Sequence, residues 1–167
     1  LSAETPNVRL IVVGDGPYLP EMKRDLAGLP ATFTGYKSGE DLAAIYASSD
    51  LFVFPSTTDT FGNVVLEAQA SGLPVIVTDQ GGPQENLIPE QTGAVVPGSD
   101  AGALVRAIER LSKNPVRRRQ MGNAARQYME SRSFESNFLK AWDLLKTASR
   151  SQTAAKAPLE KIFPLAS

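Results

Sequence analysis

Apolar residues first gather at positions 8–13, a β-branched run stopped by Gly14-Asp15-Gly16-Pro17, which predicts a buried strand followed by a tight turn. Residues 17–29 read as a helix. A short strand is predicted over 31–34 and closed by Gly35, and a helix over 40–48 places Leu42, Ile45 and Tyr46 on one face. A third strand over 51–54 stops at Pro55, and a helix over 62–71 closes at Gly72. A fourth strand over 74–78 ends at Asp79 and Gly81-Gly82, with a fifth over 94–96. Beyond Asp100 the spacing turns wholly helical, over 101–113, over 115–131 with proline at the first helical position, and over 134–147. Leu104, Ile108 and Leu111 form one apolar stripe, and Phe138, Trp142 and Leu145 another.

Apolar strands separated by helices of this length predict parallel pairing through right-handed crossovers. The expected fold is therefore α/β, an open parallel β-sheet with helices on both faces, followed by C-terminal helices. The glycines and prolines fall at the carboxyl end of each strand, where ligands sit in open parallel sheets, although every strand-to-helix connection also needs turn residues. Residues 149–157 are rich in Ser, Thr, Ala and Lys and are expected to be loose, and residues 159–165 form a short apolar segment suited to docking.

Composition narrows the chemistry. The 167 residues include no cysteine and no histidine, which excludes disulfides, thiolate nucleophiles, Cys/His zinc centres and histidine-dependent triads. Any reaction must run on carboxylates, lysine and arginine, hydroxyls or backbone amides. No apolar run is long enough to span a bilayer. The chain starts at Leu1 with no targeting pattern ahead of the first strand, so it is expected to be a piece of a longer polypeptide. The net charge of −1 hides an asymmetry: residues 1–100 hold 13 acids and 4 bases, and residues 101–167 hold 5 and 13. Arg106, Arg110, Lys113, Arg117, Arg118 and Arg119 lack both aromatic interleaving and a continuous stripe. They predict a solvated polar face and no nucleic-acid partner.

The stretch from Pro55 to Gly72 carries the chemistry. A strand ends, a polar loop with Asp59 crosses the sheet's carboxyl edge, and a helix begins near Gly62. Free N–H groups of Phe61, Gly62, Asn63 and Val64 at that start would make an anion site of phosphate size, with Gly62 permitting close approach. Asn63, Glu67 and Ser71 share one face of the helix, whose other residues are mostly apolar or small, so the helix is expected to be largely covered. Two carboxylates beside an anion site suit a ligand whose phosphate lies between diols, because carboxylates accept charge-assisted hydrogen bonds from vicinal hydroxyls. That ligand is a nucleotide sugar. Two plainer readings stand beside this one, Asp59 as a helix cap and Glu67 as an ordinary exposed helical residue.

Asp59 and Glu67 are separated by seven residues. With Phe61-Gly62-Asn63, Glu67-Ala68 and Ser71-Gly72-Leu73-Pro74-Val75 around them, they resemble the E-x7-E signature of retaining, nucleotide-sugar-dependent glycosyltransferases of the group 1 family. Residues 13–17 (Val-Gly-Asp-Gly-Pro), 33–36 (Phe-Thr-Gly-Tyr), 49–56 (Ser-Asp-Leu-Phe-Val-Phe-Pro-Ser), 81–85 (Gly-Gly-Pro-Gln-Glu) and 92–97 (Thr-Gly through Pro) extend the likeness. It covers about residues 6–146 and resembles the C-terminal domain of that family's GT-B architecture of two Rossmann-like domains. Asp59 departs from the family's usual glutamate by one methylene.

The resemblance implies a nucleotide-sugar-binding domain over residues 1–148 and a flexible or docking tail over 149–167. The family's first strand and its Arg/Lys pair would lie upstream of Leu1, and an N-terminal domain outside this chain would bind an acceptor of unspecified nature. Glu67 would hold the ribose hydroxyls and Asp59 the transferring hexose, as the catalytic pair. Phe61, Gly62, Asn63 and Val64 would meet sugar and diphosphate, Tyr36 and Lys37 the base, and Gly14 and Gly16 complete the donor-binding set. The donor would be an NDP-sugar, with UDP the reference nucleotide, and neither metal nor other cofactor would be required. The resemblance further implies a cytoplasmic protein with peripheral contact to the inner face of a membrane, and a fragment that folds but does not turn over alone. The alternatives are a non-catalytic regulatory or interaction domain that kept the fold, a sugar-nucleotide epimerase and a related phosphorylase.

Overall fold

A computed structural model describes residues 8–132. The helix expected over 134–147, with its Phe138, Trp142 and Leu145 stripe, and the tail over 149–167 lie outside the described residues. The described chain runs β1 (Leu10–Val13), α1 (Leu19–Asp25), β2 (Ala31–Gly35), α2 (Gly39–Ser48), β3 (Phe52–Phe54), α3 (Asn63–Ala70), β4 (Val75–Thr78), a 3-10 turn (Pro83–Asn86), β5 (Gly93–Val96), α4 (Ala101–Ser112) and α5 (Pro115–Ser131). The strands and helices lie where the hydrophobic pattern puts them. The 3-10 turn is an addition, since the segment after β4 is legible in the sequence only as a strand terminator.

Every strand pair is parallel, but the strands form two hydrogen-bonded sheets instead of one. β1 pairs with β2, with a register irregularity between Val12 and Val13, and β3, β4 and β5 form a three-stranded sheet with β4 at its centre. Central β4 is buried along its whole length, and its residues alternate between two cores as a period of two demands. Val75 and Val77 pack with Val65, Ala68, Leu73, Leu87 and Tyr46 on the side of α2 and α3. Ile76 packs with Ala94, Val96, Ala107, Leu111 and Met121 on the side of α4 and α5. Helices therefore cover both faces of this sheet. The expected stripe on α4 points inward, Leu111 being 1% exposed and Leu104 and Ile108 partly buried.

β1 corrects the expectation that all strands are buried. Leu10, Ile11 and Val13 are 44%, 40% and 37% exposed. Among the described residues β1 has a hydrogen-bonded neighbour on one side only, which leaves it less covered than central β4.

Ion pairs and capping hold the basic helices. Arg110 meets Glu90 through two hydrogen bonds of 2.9 and 2.8 Å, and Arg117 donates to the Glu90 carbonyl. Arg118 donates to the Leu111 and Ser112 carbonyls at 2.7 and 2.6 Å, closing the C-terminal end of α4, and reaches Asp50 at 3.4 Å. Arg106 pairs with Asp100 at 3.2 Å, and Asp100 caps α4 by accepting from the Ala103 N–H at 2.9 Å.

Candidate donor-binding site

The loop between β3 and α3 is built from side chains that satisfy its own backbone. Ser56 Oγ accepts from the Thr58 and Asp59 N–H groups at 3.4 and 3.2 Å, turning the chain out of β3. The Thr78 hydroxyl, at the end of β4, donates to the Ser56 carbonyl at 2.5 Å and ties the loop to the central strand. Asp59 Oδ1 then accepts from Phe61 N–H at 2.8 Å and Gly62 N–H at 2.5 Å. Asp59 is therefore not the cap of α3, whose N-cap is Gly62 with no side-chain cap bond; its Oδ1 instead holds the loop that leads into the helix. Of the four amides assigned to an anion, those of Phe61 and Gly62 are taken by this carboxylate. Among the described residues no acceptor takes the Asn63 and Val64 N–H groups, so these two stand open at the first turn of α3.

Gly62 leads into the helix with φ 78° and ψ 51°, the left-handed region that costs a residue with a side chain about 1–2 kcal/mol. A β-carbon there would also come within 3.0 Å of the Pro83 ring. The Gly62 carbonyl accepts from Val65 N–H at 2.9 Å, which starts the helical ladder.

Glu67 lies one turn beyond Asn63, about 6 Å along the axis by helix geometry. Asn63, Glu67 and Ser71 share the solvent side of α3, and only its opposite side, with Val65, Ala68 and Gln69, is buried. This corrects the expectation of a largely covered helix, and exposure rather than a buried partner keeps the Glu67 charge solvated. Its orientation is nonetheless fixed, because the Tyr46 hydroxyl of α2 donates to Glu67 Oε2 at 3.2 Å and lies 3.4 Å from the Val64 carbonyl. Tyr46 is itself buried and meets the Phe52 ring edge-on at 5.8 Å. Burial, and then the neighbouring Glu67 charge, push its phenol up to about 12.

The remaining expected site residues lie at the carboxyl end of the other sheet. Gly14 N–H donates to the Gly35 carbonyl at 2.9 Å, joining the ends of β1 and β2. Gly14, with φ 122°, and Gly16 follow β1 in an open turn. Tyr36 follows β2 and is 75% exposed, while Lys37 pairs with Asp41 at 3.1 Å in the first turn of α2. α2 thus runs from the Tyr36–Lys37 corner to the Tyr46 hydroxyl that meets Glu67. Tyr46 and Asn86 join this region from outside the motifs, whereas Ser56, Gln69 and Gly82 lie within them with no role assigned. Among the described residues no group of three or more acidic side chains is placed to hold a metal ion.

Residues 1–128 match the family described as glycosyl transferases group 1. The chain belongs to that family. Within the group 1 glycosyltransferases it is 40% identical over 129 residues to a sulfoquinovosyl transferase of Arabidopsis thaliana, covering 75% of this chain and 25% of the relative. It is also 40% identical over 134 residues to a GDP-mannose-dependent alpha-mannosyltransferase of Mycolicibacterium smegmatis, covering 79% and 34%. Among solved structures, sucrose-phosphate synthase from Thermosynechococcus elongatus superposes with a TM-score of 0.74 at 32% identity, covering 92% of this chain and 41% of that one. The fold is the Rossmann-like α/β arrangement of GT-B glycosyltransferases. The chain spans between a quarter and about two fifths of the length of these proteins.

Proposed function

We propose that the protein to which this chain belongs transfers a hexosyl group from a nucleotide sugar, with retention of anomeric configuration, and that this chain is its donor-binding half. The observation that carries the reading is the start of α3. Two open amides, Asn63 and Val64, stand at the positive end of the helix dipole between the Asp59 loop and Glu67. In the transfer, negative charge develops on the departing diphosphate as the anomeric bond breaks, and oxocarbenium character develops on the sugar. Amides preset toward the diphosphate lower that barrier without reorganising. Glu67, held by Tyr46, accepts hydrogen bonds from the ribose diol. Asp59 uses Oδ1 for the loop and presents Oδ2 to the hexose. The Tyr36–Lys37 corner takes the base, and Gly14 and Gly16 leave room for the donor to approach β1. No step calls on a metal. The acceptor and the rest of the cleft are assigned to the part of the protein outside this chain, so the fragment by itself does not turn over.

Relatives named as GDP-mannose-dependent support an NDP-sugar donor and make GDP a nucleotide to test beside UDP. Calorimetric titration of the full-length protein with UDP, GDP and ADP is expected to show one preferred nucleotide. Negligible heat with all three would overturn the donor-site reading and favour an interaction domain that kept the fold.

A further inference from the structure

Two carboxamides buried beneath the loop have no part in the roles above. Gln69 is 0% exposed and Asn86 is 4% exposed. Burying an amide is costly unless it is hydrogen-bonded, so a polar pair here needs a structural task. The Gln69 amide, on the inner face of α3, donates to the Asn86 carbonyl at 2.7 Å, fixing the end of the 3-10 turn Pro83–Asn86 to the body of the helix. The Asn86 amide in turn donates to the Phe61 carbonyl, one residue before Gly62. The bonds therefore close a circuit from the middle of α3 through the turn and back to the loop from which α3 starts. A second restraint acts beside it. Gly82 N–H donates to the Asp59 carbonyl at 3.1 Å, and a β-carbon on Gly82 would collide with the Thr60 carbonyl.

We infer that Asn86 is a positioning residue for the diphosphate of the donor, acting through the Phe61 carbonyl, with Gln69 anchoring the turn from which it reaches. The inference rests on the proposed donor site. Asn86 touches no ligand. Its bond to the Phe61 carbonyl and the Asp59 bond to the Gly62 N–H hold the Phe61–Gly62 peptide from both sides, and with it the direction in which the Asn63 and Val64 amides point. Leucine has the same branched skeleton, though it is bulkier, and would occupy the space without supplying the donor. An aspartate would supply one only when protonated.

The test uses the full-length protein. Asn86→Leu should weaken binding of its preferred nucleoside diphosphate about tenfold, the equivalent of one hydrogen bond, while the matching nucleoside without phosphates binds as before. Asn86→Asp should bind the diphosphate weakly at neutral pH and regain affinity, relative to the unmutated protein, as the pH falls through the carboxylate range. Loss that is equal for nucleoside and nucleoside diphosphate, or a wild-type affinity ratio in Asn86→Leu, would overturn the positioning role. Binding of no nucleotide by the unmutated protein would instead overturn the donor site itself. Should the variants not fold, the side-chain amide protons of Asn86 in the unmutated protein decide the matter. The circuit requires them to exchange with solvent far more slowly than a free carboxamide, and exchange at the free rate would sink it.

Discussion

A single carboxylate illustrates how a residue's structural and chemical tasks can coincide. Asp59 Oδ1 holds the Phe61 and Gly62 N–H groups, so removing the side chain alters the loop as well as any contact to a sugar. Comparing two substitutions separates the tasks. Asp59→Asn keeps an oxygen for the loop amides and should retain nucleotide affinity while lowering turnover. Asp59→Ala should lower turnover and also cost about 1 kcal/mol of stability, read by thermal unfolding of the full-length protein. Glu67→Ala should weaken donor binding by about 3 kcal/mol, two charge-assisted bonds to a diol, measurable by calorimetry. Tyr46 gives a pH test. Its phenol is pushed up to about 12 when folded, so its contribution to stability is complete below the ordinary value of 10.0 and drains away as the pH rises from there toward 12. Tyr46→Phe should remove that alkaline loss, as followed by denaturant midpoints between pH 9 and 12 on the order of one unit apart. Glu67 stands out in the sequence because a charged residue among apolar and small ones is conspicuous, and Asp59 stands out by its place in the polar loop ahead of it, with seven residues between the two. The Tyr46 hydroxyl does not, because a tyrosine on a helical stripe looks like core, and only the packing of α2 on α3 turns its oxygen toward Glu67.

Elements and their ends are both readable where the signals are local. β3, α3 and β4 follow the pattern of apolar runs and turn residues to within a residue or so at each end, because both the period and the stop signals are local. The turn Pro83–Asn86 is too short to show a helical period, so nothing local marks Asn86 beside Gly81-Gly82-Pro83-Gln84-Glu85. The basic residues of α4 and α5 were legible only as a polar face. In the fold, Arg118 is largely shielded, its side chain 17% exposed, and closes α4 by meeting two of its final carbonyls. Arg118→Ala should therefore destabilise the domain by about 1–2 kcal/mol, with Arg119→Ala as the near-neutral control, measured by chemical denaturation. A loss in Arg118→Ala no larger than in the control would show that the α4 end is satisfied by water instead.

At the scale of the whole molecule, the class of fold was readable and the division of the sheet was not. Whether a β-branched strand is covered depends on which strand lies beside it in space, and the sequence of β1 is the same whether it has one neighbour or two. Among the described residues only β2 pairs with β1, and the other side of the strand offers a row of amides and carbonyls together with Leu10, Ile11 and Val13. Such a margin is a template on which another chain can crystallise a strand of its own. A concentrated preparation of these 167 residues by themselves should accordingly thicken with time, gaining light scattering and thioflavin fluorescence, and Ile11→Lys should hold it clear without altering the helical content seen by circular dichroism. The practical lesson for anyone handling the isolated chain is that its shelf life is set at that margin of β1.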